Sequence, residues 1–448
     1  MTTFPTLAAW LAHLETAHPV GIDMGLTRIR KVKDALNLTF GCPVFTVGGT
    51  NGKGSTCALL EAILLQAGYR VGCHTSPHLL AFNERVRVNG EDASDDVLLP
   101  HFEAVEAARL SLAAPVTLTY FEFTTLAIMH LFATSSLDAV ILEVGLGGRL
   151  DAMNVLDTDC AIVTSIGIDH TEYLGDTREK IAYEKAGIFR AGNPAICADP
   201  RPPQTLIDHA NAIGADLWLS GRDFRYEDYE GYEGQAGNER QQWTYAGRAM
   251  RRAALAYPAL RGANQLSNAA AALAGLEALR ERLPVSAQDI RLGLANVALP
   301  GRFQVLPGKP TVILDVGHNP HAAAVLARNL QGMGYFPYTY AVFGAMRDKD
   351  IDGVIAQMKG VIDHWCVTSL PVPRAASATQ IEAALRNAGV ADGADSSVRR
   401  YETPVQAFEA ALGRAGEDDR ILTFGSFLTV AGVMSGVGLA LRAAMLHD

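Results

Sequence analysis

Six cysteines stand among 448 residues, and no two of them form a C-x-x-C pair. This excludes zinc-knuckle and dithiol redox motifs, which need closely spaced thiols. Cys42, Cys57, Cys73, Cys160, Cys197 and Cys366 read instead as scattered thiols of a reducing compartment. Basic charge is also short: 38 Lys and Arg face 48 Asp and Glu, a net charge of −10. A nucleic-acid partner calls for a basic footprint, so none is expected. Anionic small molecules stay open, because a few local cations override the global balance. The opening MTTFPTLAAWLAHLE has neither a basic start nor a long apolar run, which argues against a signal peptide. The apolar stretch Phe424 to Leu441 reaches membrane-span length, yet it holds Ser426, Thr429, Ser435 and four glycines. A strand followed by a terminal helix on a sheet is expected there, with no membrane partner and a cytoplasmic location.

What is present is enough apolar matter for sizeable cores, at 49% hydrophobic residues, over a length that implies two domains. Apolar, β-branched runs alternate with helical spacing: Pro43–Gly49, Tyr69–Ser76, Leu137–Gly145, Cys160–Gly167 and Asn193–Ala198 read as strands, Ser55–Gly68 as a helix. Such a series indicates a parallel sheet covered on both faces. Leu217 to Leu260 is rich in Tyr, Gly, Arg and Gln and reads as an antiparallel elaboration at one edge. Leu299–Pro310 carries three prolines and two glycines and reads as a linker. A second α/β series then begins at TVILDVG. The expected domains are 1–300 and 301–448.

The chemistry concentrates at strand ends. TVGGTNGKGST (Thr46–Thr56) follows a strand and opens a helix. Its glycines let backbone N–H groups approach phosphate, and Lys53 can reach terminal phosphates. The spacing is not that of the common P-loop G-x-x-x-x-G-K-[ST]: Val47 stands six before Lys53, and Gly54 stands straight after it. Glu143 ends an apolar strand, where ligands collect in open α/β sheets; a carboxylate there suits Mg²⁺, or serves a cap or salt bridge. Gly145–Leu150 lacks the third glycine of a dinucleotide fingerprint. Asp169 and His170 follow another strand and fit a metal, a phosphate or plain polar packing. Arg178–Arg190 reads alone as a solvated charged helix. Asp315 ends a strand of the second series, and His318, Asn319 and Pro320 fit either a site or a helix cap. Together these residues describe an Mg²⁺-ATP enzyme with its site between two domains.

Ten ordered motifs carry a more specific resemblance: GTNGKGS, TSPHL, FNERVRVNG, TYFEFTTLA, ILEVGLGGRLDAMN, TSIGIDHTEYLG, EKAGIFR, LPGRFQ, DVGHNPHA and FGSFLTV. From Ile22 to about Val430 the chain resembles the bacterial bifunctional dihydrofolate synthase/folylpolyglutamate synthase family of Mur-type amide ligases. The resemblance implies an N-terminal P-loop ATPase-like domain and a smaller C-terminal Rossmann-like domain. It implies ATP-driven addition of L-glutamate to dihydropteroate and to reduced folates through an acyl phosphate, by a monomer using two Mg²⁺ ions.

Residue roles follow from the same match. Thr50, Asn51, Gly52, Lys53, Gly54, Ser55, Asn268, Arg302 and Asp315 match ATP contacts. Ser76, Glu143 and His170 match metal ligands. Ile22, Asp23, Met24, Thr119, Leu150, Asp151 and Ala152 match the dihydropteroate pocket. Lys185 matches a carbamylated lysine, which overturns the solvated reading of its helix. Lys53, Lys185 and His318 match catalytic positions, His318 by orienting intermediate or glutamate. Met24 stands where leucine is frequent. The alternatives are folylpolyglutamate synthesis alone, or a cell-wall Mur ligase, whose extra N-terminal domain has no room before the loop at residue 48.

Overall fold

The computed structural model describes residues 4–229, 242–262 and 264–436. The chain divides into two compact units, Met1–Ala259 with Leu266–Val297, and Leu260–Gln265 with Ala298–Asp448.

The first unit is built on an eight-stranded sheet. Its strands are β1 (Val44–Gly48), β2 (Val71–His74), β3 (Val86–Val88), β4 (Glu91–Asp92), β5 (Ala139–Glu143), β6 (Cys160–Val163), β7 (Pro194–Cys197) and β8 (Asp216–Leu219), in spatial order β4-β3-β2-β5-β1-β6-β7-β8. The run β2-β5-β1-β6-β7-β8 is parallel throughout. Every residue of β1, β5 and β6 is buried, the mark of strands covered on both faces. Side chains alternate faces along a strand. Val140 and Leu142 therefore join the core made by α1 (Leu7–Leu14), α2 (Thr27–Ala35), α4 (Asp95–Ser111) and α5 (Tyr120–Thr134), while α3 (Lys53–Gln66) follows β1 directly. The remaining helices of this unit are α6 (Thr171–Leu174), α7 (Arg178–Ala186), α8 (Gln204–Ile213), α9 (Asn264–Ala278) and α10 (Ala287–Asn296).

The region expected to be antiparallel divides. Asp216–Leu219 pairs parallel with β7 and completes the main sheet. Only β9 (Arg225–Tyr229), β10 (Gln242–Ala246) and β11 (Arg251–Ala256) form the antiparallel three-stranded sheet. A four-residue strand is too short to announce its partner by periodicity.

The second unit has six strands in the order β12-β13-β17-β14-β15-β16: β12 (Gln304–Leu306), β13 (Thr311–Leu314), β14 (Thr339–Phe343), β15 (His364–Thr368), β16 (Ser397–Tyr401) and β17 (Arg420–Phe424). All pairings are parallel except β12 with β13. β12 lies inside the stretch read as a linker; its prolines fall outside the three paired residues, where they remove no ladder bond. Among the described residues the unit's helices are α11 (Pro320–Gln331), α12 (Ile351–Met358), α13 (Ala378–Asn387), α14 (Pro404–Leu412) and α15 (Phe427–Gly436). The expected terminal strand and helix are β17 and α15; Val437 to Leu441 of that stretch lie outside the described residues. Among the described residues no helix is long and apolar enough to cross a membrane. All six cysteines are free, and only Cys42 is not buried.

Candidate active site

Four neighbouring parallel strands deliver their carboxyl ends to one edge of the sheet. Ser76 follows β2, Glu143 closes β5, the glycine loop follows β1, and Thr164 to His170 follow β6. The topology alone therefore gathers residues separated by more than a hundred positions, as open α/β sheets do at their ligand sites.

The loop is strapped to the segment after β6. Thr50 N donates to Ser165 O at 2.8 Å, Asn51 N to Ser165 Oγ at 3.0 Å, and Thr164 Oγ1 to Asn51 O at 2.7 Å. Thr50 Oγ1 donates to Gly167 O and accepts from Gly167 N. Gly52 is the N-cap of α3 with φ of 90°, and a Cβ there would lie 2.4 Å from Asn268 Oδ1. The left-handed backbone favours glycine, and any Cβ would also displace the Asn268 side chain. Lys53 opens α3 and folds back, donating from Nζ to Gly49 O at 3.2 Å and Thr50 O at 3.4 Å. Ser55 is buried in the first helical turn.

Ser76 and Glu143 meet: Ser76 N donates to Glu143 Oε2 at 2.8 Å, and Glu143 is buried. His170 takes a left-handed φ of 50° ahead of α6 and is exposed, with its N–H donating to Asp169 Oδ1 at 2.8 Å. Among the described residues no three His, Cys, Asp or Glu side chains form a metal-sized cluster. The predicted set holds two of these types plus a hydroxyl, and hydroxyl, carboxylate and imidazole suit a hard or borderline divalent cation.

The glycines of VGLGGRLD have a packing role. A Cβ on Gly148 would come 2.7 Å from Glu184 O and 3.0 Å from Lys185 O, so the loop rides directly on the backbone of α7. Arg149 then forks onto Glu184 at 2.8 Å. Lys185, on that helix, is only 4% exposed, which contradicts a solvated face. Burial, with the Lys53 ammonium adding to it, lowers its pKa to about 7, against the opposing pull of Asp169 and Asp151. Asp151 caps the turn that begins at Ala152, accepting from Leu146 N and Met153 N. Its burial raises the carboxyl pKa to about 6, and Lys53 offsets part of that rise.

Of the predicted pterin-pocket residues, Asp23 and Thr119 are tied to each other through Arg28 and Glu122. Thr119 caps α5 in a reciprocal box with Glu122. Arg28 binds Glu122 Oε1 at 3.1 Å and Asp23 Oδ2 at 2.6 Å. Ile22 is 43% exposed, and Met24 Cε lies 3.8 Å from a Cβ placed on Gly147. Arg28 and Glu122 escaped the sequence reading; the signal was the capping-box spacing T-x-x-E of TYFE.

In the second unit Asp315 accepts from Phe303 N at 2.8 Å and Gly317 N at 2.7 Å, and Arg302 lies over the Phe427 ring. His318 Nδ1 bonds Val316 O at 2.9 Å. The cap of α11 is Asn319, with Pro320 in the first turn, so the capping alternative holds for those two residues and not for His318.

Comparison with known proteins agrees with this geometry. Residues 47–276 match the Mur ligase middle domain, and residues 301–427 match the Mur ligase, glutamate ligase domain. A dihydrofolate synthase/folylpolyglutamate synthase of Escherichia coli strain K12 is 42% identical over 96% of this chain and 94% of its own length.

The chain belongs to the dihydrofolate synthase/folylpolyglutamate synthase family.

Solved structures of this family share its fold. Escherichia coli FolC in complex with DHPP and ADP aligns with a TM-score of 0.88 at 41% identity, covering 98% of this chain and 99% of that one. A bifunctional folylpolyglutamate synthase/dihydrofolate synthase with Mn, AMPPNP and L-glutamate bound aligns with a TM-score of 0.85 at 42% identity, covering 96% and 98%. The Mur-ligase architecture expected from the motifs is the observed one: a covered, largely parallel sheet carrying the loop, then a smaller α/β unit.

Proposed function

We propose that this chain is an ATP-dependent ligase that joins L-glutamate to dihydropteroate, giving dihydrofolate, and to reduced folates, extending a γ-linked tail. The observation that carries this reading is the convergence of the glycine loop, Glu143, Ser76 and Lys185 at one sheet edge, beside the network that ties Asp23 to Thr119.

A carboxylate is a poor electrophile because attack on it must expel oxide. Transfer of the γ-phosphoryl group of ATP makes an acyl phosphate, whose carbonyl the glutamate amine attacks, with phosphate leaving. The first step brings two anions together, so its barrier is largely electrostatic and positional. Lys53 and the N–H groups at the start of α3 stabilise the charge that develops on the phosphoryl oxygens. Thr50, Asn51, Gly52, Gly54, Ser55 and Asn268 shape the ATP cradle. Arg302 and Asp315 are assigned to ATP, and His318 to orientation of the acyl group or glutamate, on the family resemblance. Ser76, Glu143 and His170 would hold Mg²⁺, taken as two ions, which supplies charge neutralisation on phosphate oxygens. Ile22, Asp23, Met24, Thr119, Leu150, Asp151 and Ala152 form the pterin side.

Lys185 is proposed to be carbamylated. A buried amine with a pKa near 7 is substantially neutral at physiological pH, and only the neutral form has the lone pair that attacks CO₂. The N–C bond forms, one proton leaves, and the group becomes an anion facing Lys53. The catalytic roles of 1–300 and 301–448, a monomeric state and a cytoplasmic location belong to the same proposal.

The test is glutamate ligation with dihydropteroate beside tetrahydrofolate. Products from both substrates support the bifunctional reading. Product from tetrahydrofolate alone reduces it to folylpolyglutamate synthesis, and product from neither overturns it.

A further inference from the structure

Arg85 is a half-buried arginine with an unusual set of neighbours. Arg28, Arg87, Arg109 and Arg149 each fork onto a glutamate of this unit. Arg85 makes no such pair among the described residues. Its Nε donates to His78 Nδ1 at 2.8 Å, and its guanidinium carbon stands 5.6 Å from the Phe82 ring centroid and 5.8 Å from that of Tyr120. The two terminal nitrogens carry four N–H donors, and among the described residues none of them meets a carboxylate. Holding a cation there is costly, as the downward pull of burial on its pKa shows. The position is specific. Tyr120 directly follows Thr119 of the proposed pterin side, and Glu143 of the proposed metal side is close enough to act on Arg85 electrostatically.

We propose that Arg85 binds the reacting carboxylate of the acid substrate through its guanidinium fork, holding that group between the pterin pocket and the Glu143 end of β5. This assignment rests on the function proposed above. A planar fork matches a carboxylate in two parallel hydrogen bonds, and the flanking rings keep water from weakening them. An aromatic acid suits the site better than an aliphatic one, because its ring can meet the partly exposed ring of Tyr120 while the carboxylate reaches the fork. The competing anion is a phosphate of the nucleotide, which the same fork would accept.

The experiment measures equilibrium binding of dihydropteroate, its neutral methyl ester and ADP to the wild type, Arg85→Met and Arg85→Lys. Loss of a charge-assisted pair predicts that Arg85→Met binds dihydropteroate about 10- to 100-fold more weakly, with ester and ADP affinity unchanged. Arg85→Lys keeps the charge without the fork and falls between. Equal loss for acid and ester marks a merely structural arginine and overturns the proposal. So does unchanged acid binding, or a loss confined to ADP. Wild-type protein that binds neither acid nor ester overturns the functional reading itself, and this assignment with it.

Discussion

Lys53 acts on Lys185: burial, with the ammonium of Lys53 adding to it, holds the pKa of Lys185 at about 7. A buried lysine beside another cation is thereby made neutral enough to react.

Lys53→Ala is expected to lower turnover by about a thousandfold or more, the scale of losing a preorganised charge at a phosphoryl oxygen. Stability should change little, because Lys53 Nζ contacts only two loop carbonyls. Steady-state kinetics with a thermal midpoint alongside checks both. Retained activity would remove the loop from the mechanism.

Lys185→Ala should cripple turnover, with partial recovery on adding short carboxylic acids that restore an anion in the vacated space. Turnover at the wild-type rate would show that the modification is not used.

The same lysine predicts a pH dependence of stability. Its folded pKa of about 7 lies below the ordinary 10.5, so between those values the unfolded chain holds a proton that the native chain lacks. Stability then rises with pH across that window, by an amount on the order of a few kcal/mol. Below pH 7 the slope vanishes, because both states are protonated. Urea unfolding in CO₂-free buffer at pH 7 and pH 9 measures the rise, and Lys185→Met should flatten it. An unchanged slope in that variant would assign the effect elsewhere.

Gly52→Ala is expected to destabilise the first unit by about 1–3 kcal/mol and to abolish ATP binding. It places a Cβ at positive φ and 2.4 Å from Asn268 Oδ1. Thermal midpoints and nucleotide titration report the two effects separately, and a variant that binds ATP normally would contradict this view of the loop.

Thr119→Val removes the cap of α5 and should cost about 1 kcal/mol, with a raised KM for dihydropteroate and an unchanged KM for ATP. A shift in the ATP value instead would separate Thr119 from the pterin side.

Much of the fold is legible in the sequence. Val44–Gly48 and Lys53–Gln66 announce themselves, because an apolar β-branched run ending in glycines and followed by helical spacing has few other solutions. The second series was legible for the same reason at β13, β14, β15 and β17. The failures share a cause. β8, β12 and β16 are edge strands of three to five residues, and their pairing is decided by neighbours far away in sequence. The burial of Lys185 is equally hidden from local pattern, and only the family resemblance points to it. REKIAYEKA reads as a charged surface helix until the glycines of GLGG let a loop lie on its backbone. The site legible in the sequence is a set of strand ends; the capping-box spacing signals Glu122, while the contacts of Arg28 and Arg85 are made with residues that no local pattern encodes.

The most direct measurement is the release of phosphate from ATP by the purified chain, with dihydropteroate and L-glutamate added singly and together. The account predicts sustained release only when both are present, with one ADP formed for each dihydrofolate. Sustained release with neither, or release with both but no glutamate adduct, would contradict it.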